Sequence, residues 1–145
     1  MAYVPNDAEW FLADMVVEFR VAGSKRNIVH INHTIIHARS PKDAYVRAME
    51  IGKRGTMSYL NPQGRRVTRR FRGLANLDVI YDPLEDECEI MYREKMGMSE
   101  KGVRKLLRRK GDLEVFQPVG ESQGRPDFSS KEIMDMVEKR LRKKK

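Results

Sequence analysis

Three histidines lie close together in the sequence, at His30, His33 and His37, and imidazole side chains can bind metal ions or transfer protons. The segment around them is rich in β-branched residues, which favours a strand. On a strand that rises ~3.3 Å per residue, His33 and His37 share a face but lie ~13 Å apart, while His30 points to the opposite face. A single ion cannot reach both histidines of the shared face. We therefore expect no metal site, and expect these side chains to pack or hydrogen-bond within a sheet.

Five carboxylates follow Tyr81 within a short segment that also contains Pro83 and the single cysteine, Cys88. Carboxylates can perform acid–base chemistry or hold a divalent cation. The segment lacks the alternating ligands of a calcium loop, and consecutive acids are typical of a solvated turn. No local motif marks Cys88 as an activated nucleophile. We assign no catalytic residue and expect no cofactor. A hydrolase that uses the histidines or these acids is the third functional hypothesis.

The segment from Arg65 to Arg72 contains five arginines and no acidic residue. As a strand it projects Arg66, Thr68, Arg70 and Arg72 from one face, with successive positions about 6–7 Å apart, which is close to the spacing of successive phosphates. Exposed aromatic rings nearby would offer stacking surfaces for bases; the candidates are Phe71, Tyr59 and Tyr81.

A second interpretation of the same segment is structural. The arginines would then pair across the sheet with acidic residues, and Phe71 would enter the core. The candidate acidic partners are Asp14, Glu18, Glu89 and Glu94. Both interpretations remain open from the sequence, because residues 73–100 carry a net charge of −6 directly downstream.

The chain has 145 residues, a net charge of +8 and one cysteine. Residues 101–145 carry +7 of that charge, mainly in a predicted helix within 99–110 and in the run 139–145. Positive charge favours nucleic acid or an acidic protein as partner. No apolar run approaches the ~20 residues of a membrane span, and a lone cysteine suits a reducing cytoplasm. The candidate anion-binding residues are Arg66, Arg70, Arg72, Lys105, Arg108, Arg109, Arg142 and Lys143.

Hydrophobic alternation predicts the elements that position these residues. Residues 11–21 and 28–38 are expected to form an antiparallel hairpin, followed by a helix that Ser40 caps. Strands are predicted around 67–71 and 77–81 with Gly73 as a bend or bulge between them, and a fifth strand at 89–93. The fold class is therefore α+β: an antiparallel sheet of four to five strands packed on one helix, with a basic, mainly helical C-terminal extension.

The predicted organisation has four parts. An α+β domain occupies 8–95, a basic helix with a short strand at 113–116 occupies 96–117, and a linker rich in Pro and Gly occupies 118–128. A basic amphipathic helix then covers 129–145, with Ser129 as its cap and Phe128 stapled onto Ile133.

A series of short motifs resembles a family of small bacterial domains of unknown function over about residues 10–94. The motifs are, in order, Trp10-Phe11-Leu12-Ala13-Asp14, Val17-Glu18-Phe19, His30-Ile31-Asn32, Ser40-Pro41-Lys42-Asp43-Ala44-Tyr45, Asn61-Pro62-Gln63-Gly64, Arg66-Val67-Thr68, Phe71-Arg72-Gly73-Leu74, Leu77-Asp78-Val79-Ile80-Tyr81-Asp82, Glu85-Asp86 and Ile90-Met91-Tyr92. The resemblance implies a bacterial source and one compact α+β module. It brings no catalytic residues, and it leaves the basic extension uncovered.

The sequence thus predicts a non-catalytic binding module in the cytoplasm that favours an anionic partner, either a nucleic acid backbone or an acidic protein surface. The alternative is a protein–protein interaction module, such as an immunity or adaptor protein, which docks through the sheet or the terminal helix. No membrane association is expected.

Overall fold

The computed structural model describes residues 3–118 and 124–144. It divides the chain into two compact units, one formed by residues 1–91 with 125–145 and the other by 92–124. The strands and helices are β1 (Trp10–Val21), β2 (Ile28–His37), α1 (Pro41–Arg54), β3 (Met57–Leu60), β4 (Arg66–Val79), α2 (Glu100–Leu106) and α3 (Lys131–Lys143), with single 3₁₀ turns at Lys110–Asp112 and Glu114–Phe116. No helix in these ranges is long and apolar enough to cross a membrane.

The first unit contains a four-stranded antiparallel sheet in the order β2-β1-β4-β3, so the predicted α+β class and the β1–β2 hairpin are confirmed. The two strands predicted on either side of Gly73 form one long strand, β4, whose register with β1 shifts near that glycine. Gly73 has a positive φ of 135°, a conformation that favours glycine and suits a bulge. The predicted fifth strand is wrong, because residues 89–93 are not in a strand.

The helix α1 covers one end of one face of the sheet, which we call the core face. Ser40 caps it as expected by accepting a hydrogen bond from the Asp43 N–H at 3.1 Å, and Gly55 follows its last residue, Arg54, as the C-cap. Its small buried residues Ala44 and Ala48 pack on Phe11, Ala13 and Met15 of β1. Small side chains allow the helix axis to approach the sheet closely, and this gives the first half of the core.

The other half of the core face is closed by Phe128. Its ring lies 4.8 Å from that of Phe19 and 5.4 Å from that of His30, measured between centroids, and it joins a cluster that includes Val17 and Val67. Phe128 therefore contacts the sheet, and its predicted staple onto Ile133 stays a prediction. The linker predicted at 118–128 ends in a structural contact, and its residues 119–123 lie outside the described part of the chain.

The fully buried Asn61 joins this C-terminal segment to the turn between β3 and β4. Its amide nitrogen donates to the carbonyl oxygen of Asp127 at 2.9 Å, and its side-chain oxygen accepts from the Gln63 and Arg65 N–H groups. The Tyr59 hydroxyl also donates to the carbonyl of Phe128, and burial raises the pKa of this phenol. These bonds satisfy polar groups that would otherwise be costly to bury.

The helix α3 begins one residue later than predicted, because the Ser130 hydroxyl, rather than that of Ser129, accepts from the Ile133 N–H. Every residue from Lys131 to Lys143 is exposed, including the apolar stripe formed by Ile133, Met136, Val137 and Leu141.

The second unit contains α2 and the two 3₁₀ turns. The Ser99 hydroxyl caps α2 by accepting from the Gly102 N–H. The strand predicted at 113–116 is wrong, since Glu114–Phe116 forms a 3₁₀ turn.

Candidate anion-binding surface

The face of the sheet opposite α1, which we call the open face, carries the arginines predicted to bind anions. Arg66, Arg70 and Arg72 of β4 are exposed there, whereas Val67 is buried and Phe71 packs into the core from the opposite face. Arg69 also lies on the core face, where its guanidinium donates to the Gly55 carbonyl at 2.5 Å. The alternation predicted for this segment therefore matches the strand that forms.

Glu18 of β1 is the acidic residue among these arginines. Its carboxylate accepts a hydrogen bond from the Asn27 amide at 2.6 Å and forms ion pairs with Arg20 at 3.1 Å and Arg72 at 3.9 Å. The bond from Asn27, helped by the charges of Arg20 and Arg72, lowers the pKa of Glu18 despite the opposing effect of desolvation. Glu18 is therefore ionised at neutral pH and neutralises part of the arginine charge.

Arg20 belongs to the same surface, although the sequence analysis did not select it. It is paired in register with Thr68, and its neighbour Glu18 is paired with Arg70. The sequence could have identified Arg20, because the alternation of apolar and polar residues along β1 places it on the polar side of that strand.

The remaining arginine contacts leave most of the charge unpaired. Arg66 donates to the Ser58 hydroxyl at 2.9 Å, which holds its guanidinium but does not neutralise it. The side chain of Arg70 has no hydrogen bond or ion pair within the residues that the structure describes. Four guanidiniums and the Glu18 carboxylate, which pairs with two of them, form the region that we call the arginine surface. It consists of Arg20, Arg66, Arg70 and Arg72 with Glu18.

The structural interpretation of the arginine segment is thus correct in part. Arg72 pairs with Glu18 as that interpretation requires, while Asp14 pairs instead with His33. Arg66 and Arg70 do not pair with an acidic side chain within the described ranges.

The aromatic rings proposed as stacking surfaces do not lie beside the arginine surface. Phe71 packs on α1 and Tyr59 hydrogen-bonds to the C-terminal segment, both on the core face. The Tyr81 hydroxyl donates to the Tyr3 carbonyl at 2.6 Å. Contacts at the arginine surface would therefore involve charges rather than stacked bases.

The histidines do not converge on one site. His30 lies on the core face against Phe19 and Phe128, whereas His33 and His37 lie on the open face with different carboxylates. The His33 imidazole is 2.6 Å from Asp14, and that of His37 is 3.9 Å from Glu9. The His37 ring also packs on that of Trp10 in β1, with 4.8 Å between centroids. The expectation that these histidines pack or hydrogen-bond within the sheet is therefore confirmed for all three.

The acidic segment after Tyr81 forms an exposed turn. The Glu89 N–H donates to an Asp82 carboxylate oxygen at 3.3 Å, and Glu87 has a positive φ of 67°. Cys88 is partly exposed. Within residues 3–118 and 124–144, no three His, Cys, Asp or Glu side chains are arranged to hold a metal ion.

The other candidate residues lie apart along the chain from the arginine surface. Lys105, Arg108 and Arg109 are exposed in the unit 92–124, where Arg104 pairs with Glu100 at 3.2 Å. Arg142 and Lys143 are exposed in the last turn of α3, where cations are favourable beside the negative end of a helix.

Comparisons with known proteins give one match. The model of a family described as Domain of unknown function (DUF4288) matches residues 10–92, a segment that contains α1 and all four strands of the sheet. No curated protein and no solved structure matches the chain significantly. Phe128 and α3 lie beyond the matched segment. Because the match covers more than half of its 145 residues, the chain belongs to the DUF4288 family.

Proposed function

We propose that this protein is a non-catalytic binding module that holds an anionic partner, in the first place the phosphate backbone of a nucleic acid, on its arginine surface. The observation that supports this proposal is the charge imbalance there. Of its four exposed guanidiniums, two share the Glu18 carboxylate and those of Arg66 and Arg70 pair with no acidic side chain of the described residues. Guanidinium groups stay charged in proteins and bind phosphate oxygens through two parallel hydrogen bonds. The candidate residues in α3 and in 92–124 would add charge to this binding.

The expected binding has weak sequence preference. Contacts to phosphates position a nucleic acid but do not read its bases, and no ring that could stack on a base lies among the arginines. Each neutralised phosphate releases counterions, so affinity should fall steeply as salt rises.

Fluorescence anisotropy tests the proposal directly. The full chain is titrated into labelled mixed-sequence DNA, RNA and poly-glutamate, each at about 50 mM and 200 mM salt. We expect salt-sensitive binding to both nucleic acids. If the chain binds only poly-glutamate, the partner is an acidic protein surface rather than a nucleic acid. If it shows no salt-sensitive binding to any of the three probes, the proposal is refuted.

Glu18→Gln should strengthen this binding. Removal of the carboxylate frees the Arg20 and Arg72 guanidiniums from their ion pairs and raises the charge of the surface by one. Since Glu18 is fully ionised at neutral pH, we expect affinity for the labelled DNA to rise about three- to tenfold at low salt. The matched control is Glu50→Gln, which removes the same charge from the exposed side of α1. An equal gain in both variants would point to net charge rather than to this surface.

A protein-interaction module is the second candidate function, and the exposed apolar stripe of α3 favours it. Ile133, Val137 and Leu141 lie on one side of a helix that also carries lysines and arginines, as in helices that dock into apolar grooves with acidic rims. A partner that co-purifies with the chain and survives high salt, but is lost with Val137→Asp, would support this function.

The reducing cytoplasm of a bacterium is the compartment we propose for either function, since the chain carries a single cysteine.

A further inference from the structure

The strand β2 forms a long edge of the sheet whose own residues carry none of the usual protection against pairing. It stands at the end of the strand order, and its ten residues include no Lys, Arg, Asp, Glu, Pro or Gly. Its register with β1 runs without a bulge. Charged residues, prolines, bulges and short length are the devices that keep edge strands from pairing with other chains. The opposite edge, β3, has only four residues.

Backbone groups point outward from β2 at alternate residues. The Ala38 N–H donates to the Glu9 carbonyl at 2.9 Å, one step beyond the Trp10–His37 pair. Hydrogen-bonded and non-hydrogen-bonded pairs alternate in an antiparallel ladder. The odd-numbered residues of β2 therefore direct their N–H and C=O groups away from β1. These residues are Val29, Ile31, His33, Ile35 and His37. The His37 carbonyl already accepts from the Arg47 guanidinium at 2.7 Å, so the unpaired carbonyls are those from Val29 to Ile35.

The same residues place an apolar row on the open face. Val29, Ile31 and Ile35 are 51%, 54% and 46% exposed, which is high for β-branched side chains within a sheet. Val16 of β1 is partly exposed, lies opposite Ile31 in register and widens the apolar area. This edge thus offers both unpaired backbone groups and apolar side chains to a partner strand.

We propose that β2 pairs antiparallel with β2 of a second copy of this chain, which joins the two sheets into one of eight strands. Residues 27–38 are the longest segment of the chain without an acidic residue, lysine or arginine, so two copies meet there without the repulsion expected of chains that each carry +8. With His33 opposite His33 of the other copy, Ile31 faces Ile35 on both sides of the two-fold axis. This arrangement is self-complementary, as an isologous interface requires. It forms about eight backbone hydrogen bonds, because the His37 carbonyl of each copy is held by Arg47.

Sedimentation velocity of the full chain over a concentration series tests this pairing. The wild type should shift from the 16.9 kDa monomer to a species of twice that mass, and the dimer should persist at high salt, where binding to an anionic partner is lost. Ile31→Pro removes only an outward N–H, so β2 keeps its bonds to β1 and the dimer should be lost. Ile31→Lys should give the same loss by placing a charge at the edge. Val46→Lys is the control, because Val46 is equally exposed but lies on α1.

A cross-link tests the register. In a Cys88→Ser background, His33→Cys should form a disulfide dimer on mild oxidation, because the two cysteines face each other within the Cα separation that a disulfide accepts. Val46→Cys in the same background should remain monomeric. A wild type that is monomeric at every concentration, or Ile31 variants that dimerise as well as the wild type, would overturn the proposal.

Discussion

Phe128→Ala is expected to lower the free energy of unfolding by about 2–3 kcal/mol, since truncation of a core phenylalanine costs about 3–5 kcal/mol and this ring is only partly buried. The ring closes the half of the core face that α1 does not reach, where it contacts Phe19 and His30. Its loss would expose Phe19 and Val67 to water. Urea unfolding followed by tryptophan fluorescence and circular dichroism measures the effect.

Phe116→Ala serves as the matched control for that substitution. Phe116 is 53% exposed and lies in the unit 92–124, so we expect its truncation to change stability by less than about 0.5 kcal/mol. Equal effects of the two substitutions would contradict the assignment of Phe128 to the core.

Gly52→Val is expected to destabilise the protein by a similar amount, about 2–3 kcal/mol, for a steric reason. Gly52 is buried within α1, and a Cβ atom at this position would stand 2.5 Å from the ring of Phe71 in β4. The helix can lie this close to the sheet only without that atom, and forced overpacking of a core typically costs about 1–3 kcal/mol. Thermal and urea unfolding provide the measurement.

Two further variants separate this clash from helix propensity. Lys53→Val introduces the same β-branched residue at the next, exposed position of α1 and should cost less than about 1 kcal/mol. If the clash is the cause, Phe71→Leu should partly restore the stability of Gly52→Val, so that the double variant is more stable than the sum of the two single effects predicts. Strict additivity would argue against a contact between Gly52 and Phe71.

Local sequence patterns correctly predicted the strands and the helix whose formation depends on residues close together in the chain. The alternation in β1 and β2 gave the hairpin, and the Ser40-Pro41 start gave α1. The prediction failed where long-range pairing decides the structure. Residues 57–60 become a strand because β4 pairs with them, and Phe128 enters the core through contacts with residues more than sixty positions away.

The arginine surface was predicted in part for the same reason. Alternation along β4 placed Arg66, Arg70 and Arg72 on one face, because side-chain direction is a local property of a strand. The inclusion of Arg20, and the pairing of Glu18 with Arg72, depend on the register between β1 and β4. A bulged register cannot be read from either strand alone.

The most direct test of the central claim compares the salt dependence of DNA binding in two triple variants. Arg66→Gln, Arg70→Gln and Arg72→Gln together neutralise the arginine surface, while Lys42→Gln, Lys53→Gln and Arg54→Gln remove the same charge from α1 on the other side of the sheet. The first variant should lose about 2–3 units from the slope of log affinity against log salt, at about 0.9 per phosphate contact, and the second should keep the slope of the wild type. Equal slopes in the two variants would contradict the claim that this surface holds the anionic partner.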